Sequence, residues 1–172
     1  MLTAIAAGLV ALSIGSSWLM NMADSRIADH LLRQVVQIMT ISLIFPFIAM
    51  RKHNCFRESG IRFDKAFRYI AISLVLAALL VVQMGMEIDL SKITVPTGHQ
   101  LEGVFYVMTA NVVEVLFFAC FVAYAFEKSF GIIIGIILAA VSFSLHHAGF
   151  QPEFMKLFIV GLVFIAIVRF SG

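Results

Sequence analysis

Charge is scarce in this chain. Of its 172 residues only 13% are Asp, Glu, Lys or Arg, while 62% are hydrophobic and the mean hydropathy is +1.03. Soluble globular domains carry roughly 25% charged and 45–50% apolar residues, so that class is excluded. Proline is nearly absent, with three residues, and no Pro-rich linker, repeat or low-complexity stretch divides the chain. One domain over 1–172 is the expectation. Cysteine is limited to Cys55, in a basic loop, and Cys120, inside an apolar run. Neither a disulfide framework nor a CxxC metal site follows from two distant thiols. With a net charge of only +2, no nucleic-acid partner is expected.

What the chain has in abundance is long apolar runs. A helix of about 20 apolar residues crosses the ~30 Å hydrocarbon core of a bilayer. Six stretches approach that length, near 1–21, 35–50, 69–86, 104–126, 130–149 and 154–170. They are continuous in Leu, Ile, Val, Ala and Phe, without the alternation of a transmembrane β-strand. The reading is an all-α, polytopic transmembrane helical bundle of about six helices. The first run has no Lys or Arg ahead of its apolar stretch, so it reads as a retained helix rather than a signal peptide.

Basic residues orient the bundle. Arg51 to Arg68 holds six Lys or Arg, whereas Glu87 to Gly103 holds only Lys92 against Glu87, Asp89 and Glu102. The first loop is therefore cytoplasmic and the second external, which puts the N-terminus in the cytoplasm.

One carboxylate, Glu114, sits inside the run from Val104 to Phe126. Ionisable groups at membrane depth cost a few kcal/mol, so they face a protein interior, find partners and mark a pathway or reacting site. Asn111 and Phe118 share its helical face, at three and four residues' distance. The next run ends in His146 and His147, with Phe143 four residues before His147. A short turn at Glu127, Lys128 and Ser129 makes the two helices antiparallel neighbours. Counted from their outer ends, Glu114 lies roughly 10 Å deeper than His147 at 1.5 Å per residue, a gap that calls for tilt, a kink or a water. Gly131, Gly135 and Gly149 permit close packing. His146 is expected at the solvated interface, facing away from the Phe143 register. The 17 Phe are read as lipid-facing and packing surface.

Two motifs carry a family resemblance. E-V-L-F-F-A-C-F at 114–121 resembles the E-E-x-x-F-R-G signature of the CPBP intramembrane proteases, which are the CAAX prenyl endopeptidases of the Ras-converting type and their bacterial relatives. F-S-L-H-H at 143–147 resembles the second signature, F-x-x-x-H. S-G-I-R-F before the third run and V-R-F-S-G near residue 170 resemble further family segments, so the likeness covers about 55–172. Val115, Ala119 and Cys120 stand where the family has its second Glu, its Arg and its Gly. The third signature, a His followed four residues on by Asn or Asp, is expected beyond residue 172.

The resemblance implies an endopeptidase of the bacterial inner membrane. In it Glu114 acts as general base on a water that His147 orients, Asn111, Phe143, His146 and Phe118 support the site, and the substrate is a peptide or membrane protein. Bound zinc is the lesser expectation, because adjacent histidines point some 100° apart on a helix and H-E-x-x-H is absent. Two other readings stand beside the enzyme. One is a non-catalytic CPBP-like protein, degenerate or truncated, that binds a peptide or partner, as a bacteriocin-immunity factor would. The other is a small transporter in which Glu114 takes up a cation or proton.

Overall fold

A computed structural model describes residues 1–21, 31–62, 112–148 and 152–171. Among the described residues there is no strand. The chain divides into two compact units, Met1–Ile61 with Met108–Gly172, and Arg62–Val107. The expected span at 69–86, the external loop at 87–103, Asn111 and Gly149 lie outside the described residues.

Five helical rods make up the described part. Helix α1 is Leu2–Asn21; α2, Leu31–Ile44, continues directly into α3, Phe45–Lys52; α4, Val115–Val122, continues a helical start at 112–114 and runs into α5, Ala123–Phe130; α6 is Ile132–Ala148 and α7 is Phe154–Ser171. Helices α2 and α4 are wound in the wider i→i+5 manner. In α2 the Thr40 hydroxyl donates to the Val35 carbonyl, five residues back, at 2.7 Å. The winding changes at the α2–α3 junction, where Pro46 has no N–H to give the ladder.

The rod bearing Glu114 is the central one. Every residue from Phe117 to Ala125 is buried, so this helix meets protein on all sides, with α1, α3, α6 and α7 packed around it. A rod hydrophobic all round is stable only in such a place. Helix α1 turns a stripe of Ala6, Leu9, Val10, Ser13 and Ser16 inward, at the three- and four-residue spacing of one helical face.

Among the described residues, many large apolar side chains also lie on the outside. Leu12, Trp18, Leu19, Ile44, Phe47, Ile48, Ile133, Ile159, Val163, Ile167 and Phe170 are all exposed. Soluble monomers rarely expose contiguous apolar patches beyond a few hundred Å². Leu2–Leu19 and Val35–Lys52 are long and apolar enough to cross a membrane, and Ile132–His147 is a shorter apolar helix. The Phe residues divide as expected, with Phe117, Phe118 and Phe121 in the core and Phe47 and Phe170 on the surface.

The turn between α5 and α6 differs from expectation. Glu127, Lys128 and Ser129 remain helical, and the chain reverses at Gly131 alone, whose φ of 85° suits a residue without a Cβ. At Gly135 a Cβ would lie 2.7 Å from the Glu127 backbone nitrogen, so only glycine lets the two helices come this close.

A polar clasp closes the end of the bundle that carries this turn. Arg169 of α7 pairs with Glu127 of α5 and donates to the Glu58 carbonyl at 3.2 Å. The Glu58 carboxylate accepts from Tyr124 at 2.5 Å and pairs with Lys128 at 3.0 Å. Those partners, the Tyr124 hydroxyl first, hold the Glu58 carboxyl below its ordinary range. The S-G-I-R-F and V-R-F-S-G segments thus meet here, with the Arg169 guanidinium 3.7 Å from where a Cβ on Gly60 would stand.

Candidate active site

Glu114 and His147 face each other across the α4–α6 contact, with Oε2 and Nε2 3.4 Å apart and each side chain about a quarter exposed (25% and 30%). The expected difference in depth is absent. Its premise, level measured from the outer helix ends, fails because both residues are levelled by the turn they share. Glu114 stands 17 residues before Gly131 and His147 16 residues after it. Two helices leaving one residue side by side therefore return to the same height.

The proton on His147 follows from its other nitrogen. Nδ1 lies 3.1 Å from the Phe143 carbonyl, which can only accept, so Nδ1 carries hydrogen and Nε2 is the nitrogen presented to Glu114. A bare Nε2 and a carboxylate oxygen repel at this distance. The pair is attractive when it holds one further proton, on either partner.

Phenylalanine packs the back of the site. Phe118 meets Phe143 edge-on at 5.5 Å between centroids, and Phe143 lies 4.4 Å from the His147 ring. Gly161 of α7 makes room for Phe143, since a Cβ there would come within 2.9 Å of that ring. Helix α6 is tied to the start of α7 by the Ser144 hydroxyl, which donates to the Phe154 carbonyl at 2.6 Å.

His146 contradicts the sequence reading. Instead of facing solvent it turns inward, its ring 5.4 Å from Phe118 and 4.8 Å from the His147 ring. Its Nδ1 lies 2.8 Å from the Ser13 hydroxyl and 3.4 Å from both the Ser17 hydroxyl and the Gln37 amide nitrogen. Polar partners on α1 and α2 draw it in, and these are the residues that sequence reasoning missed. The signal was present in S-I-G-S-S, which sets Ser13, Ser16 and Ser17 on one face of an apolar helix, and in Gln37, an uncharged polar residue within a span.

Residues 96–172 match the family described as Type II CAAX prenyl endopeptidase Rce1-like. This part of the chain is similar to that family. The match contains Glu114, Phe118, Phe143, His146 and His147, and agrees with the CPBP resemblance of the two motifs. The Rce1-like family is membrane-integral, in keeping with the apolar exterior. No curated protein and no solved structure matches the chain.

The donor set around Glu114 decides whether a metal fits. One oxygen of Glu114 and one nitrogen each of His146 and His147 lie within 4.8 Å of one another, so adjacent histidines do converge here, contrary to the 100° argument. Three ligands are what a catalytic zinc takes. His146, however, does not fit. Its Nδ1 is engaged by the Ser13 and Ser17 hydroxyls and the Gln37 amide nitrogen, so the nitrogen held there is not open to a metal. Glu114 and His147 alone fall short of three, so no step is routed through a metal.

Proposed function

We propose that the chain is an intramembrane endopeptidase of the CPBP type, hydrolysing a peptide bond in a membrane-associated protein by water activation at Glu114 and His147. The observation that carries the reading is the 3.4 Å approach of Oε2 to Nε2, with the His147 tautomer set by the Phe143 carbonyl. A water bonded to both groups has one partner to take its proton and one to give a proton away.

The steps balance with one stored proton. With that proton on His147, Glu114 is a carboxylate and takes a proton from water as the oxygen attacks the peptide carbonyl. His147 then delivers its proton to the departing amine as the C–N bond breaks, and the Glu114 proton resets the pair. Each proton transfer of this kind contributes about 10²–10⁴ in rate. The substrate class is a protein segment held at the bilayer, and the proposed setting is a bacterial inner membrane with the Arg51–Lys52 end of α3 on the cytoplasmic side.

A second reading, a CPBP-like protein that binds a peptide without cleaving it, is favoured by Val115, Ala119 and Cys120 at three signature positions. Cleavage of a membrane-tethered reporter by the full chain, compared with Glu114→Gln and His147→Ala, separates the two. Loss of cleavage in both variants supports the protease. Capture of the uncut reporter by wild type and variants alike supports the binder.

A further inference from the structure

The apolar surface of α3 ends in a basic rim. The stretch able to cross a membrane, Val35–Lys52, closes on Arg51 and Lys52, and Phe45, Phe47 and Ile48 lie exposed just before them. With those side chains in hydrocarbon, the last turn of α3 stands at headgroup depth.

Two successive closures build the loop that follows. Asn54, at a φ of 51°, turns the chain out of α3, its N–H on the Arg51 carbonyl at 3.2 Å and the Cys55 N–H on the Met50 carbonyl at 3.0 Å. Gly60, at a φ of 96°, repeats the pattern, its N–H reaching the Arg57 carbonyl at 3.3 Å and the Ile61 N–H the Phe56 carbonyl at 3.0 Å. These are the paired bonds of a Schellman motif. They occupy carbonyls at the end of α3 that would otherwise repel an anion. The closures also sort the side chains, since Met50, Cys55 and Ser59 are buried while Arg51, Lys52, His53 and Arg57 are exposed.

No acid cancels these charges. Glu58 is the only carboxylate between Arg51 and Ile61, and it is taken by Tyr124 and Lys128. Among the described residues, Arg51, Lys52 and Arg57 pair with no carboxylate. We propose that this loop is a docking site for the phosphate headgroup of an anionic phospholipid, held by Arg51, Lys52 and Arg57 while its acyl chains lie along Phe47 and Ile48. A lipid suits the surface better than an acidic protein segment, because one ligand then meets both the charges and the apolar side chains beside them. Guanidinium groups match phosphate oxygens in geometry as well as charge. The inference is independent of the endopeptidase reading. Its consequence is mechanical, because Glu58 follows Arg57 directly and is tied to Lys128 of α5 and, through its carbonyl, to Arg169 of α7. A headgroup on the loop therefore steadies the end of the bundle where the α5–α6 turn lies.

Each Lys or Arg near an anionic surface strengthens attachment about fivefold, so three give about 10²-fold. A ligand that binds only the folded chain raises its melting midpoint. The test follows melting of the full chain in nanodiscs of phosphatidylcholine with rising fractions of phosphatidylglycerol. The wild-type midpoint should rise with phosphatidylglycerol at low salt and lose that rise at about 1 M salt, where charges are screened within about 3 Å. Arg51→Gln and Arg57→Gln should each shift the half-effect by about fivefold. The triple variant with Lys52→Gln should show no rise. Lys156→Gln, exposed near the start of α7 and far from the loop, should respond as wild type does. The single variants keep the test decisive if the triple variant folds poorly. Equal rises in wild type and the loop variants, or a rise lost equally in Lys156→Gln, overturns the proposal. So does a rise produced in pure phosphatidylcholine by inorganic phosphate, which marks a free-anion site, or by polyglutamate, which marks an acidic protein partner.

Discussion

Glu114 and His147 meet because Gly131 lies almost midway between them. The helices on either side of that one residue are nearly equal in length, and the close approach permitted at Gly135 brings them near enough for Oε2 and Nε2 to stand 3.4 Å apart. The site is a property of the hairpin, and the hairpin depends on two glycines.

The first prediction concerns Gly135. Alanine there favours the helix by roughly 0.5–1 kcal/mol, but its Cβ meets backbone atoms of Glu127 and Ala123 that cannot swing aside. Overpacking of this kind costs about 1–3 kcal/mol, so the clash wins. Gly135→Ala should lower the thermal midpoint and reporter cleavage together, and Gly135→Leu should do so more strongly.

Gly161 should behave differently. The atom that its Cβ would meet belongs to the Phe143 ring, which can rotate at modest cost. Gly161→Ala is expected to change stability by less than Gly135→Ala does while lowering cleavage, because Phe143 packs on His147 and its carbonyl orients that ring. Paired measurements of melting and initial rate on the two variants check this ordering.

Much of this was legible in the chain and some was not. The apolar excess and the lone Glu114 pointed to helices in a bilayer, and the E-V-L-F-F and F-S-L-H-H motifs pointed to Glu114 and His147 as partners. Their depth was misjudged because it was counted from the outer helix ends, whereas the turn the two helices share sets both levels; that turn is at Gly131, since Glu127, Lys128 and Ser129 continue α5 to Phe130. His146 was misplaced for another reason. Periodicity along α6 separates neighbours by 100°, but it cannot show that α1 and α2 offer Ser13 and Gln37 on the side His146 faces. Tertiary partners decided that residue. Asn111 lies outside the described residues, so its expected support of Glu114 stays a proposal.

The clasp at Glu58 predicts a pH dependence. Its carboxyl is held below the ordinary glutamate range by the Tyr124 hydroxyl and by Lys128. A group whose folded pKa is depressed contributes stability above its unfolded pKa and loses it as pH falls through the folded value. The wild-type melting temperature should therefore decline on acidification below the ordinary glutamate range, and Glu58→Gln should flatten that part of the curve. Melting followed between neutral pH and pH values of about 3 reads both.

Arg169 should matter more than a surface arginine. It is largely buried, pairs with Glu127 and bonds the Glu58 carbonyl, joining α5, α7 and the loop after α3. Arg169→Ala should cost about 1.5–3 kcal/mol, the range for hydrogen bonds to charged groups. Chemical or thermal unfolding in detergent measures it, and Arg169→Lys should restore only part, since one ammonium cannot serve both partners with the geometry of a guanidinium.

Metal removal gives a further expectation. Because the Ser13–Gln37 network occupies His146, prolonged chelation should leave reporter cleavage unchanged, and added zinc should not raise it. Activity lost to chelation and regained with zinc would show His146 released from that network.

The most direct measurement is reporter cleavage by the full chain in lipid, comparing wild type with Glu114→Gln, His147→Ala and the double variant. The shared-proton account predicts cleavage in wild type, a loss of about 10²–10⁴ in each single variant, and a double variant hardly worse than the poorer single one, because the two residues act as a unit. Cleavage undiminished in Glu114→Gln, or no cleavage by wild type itself, would contradict it.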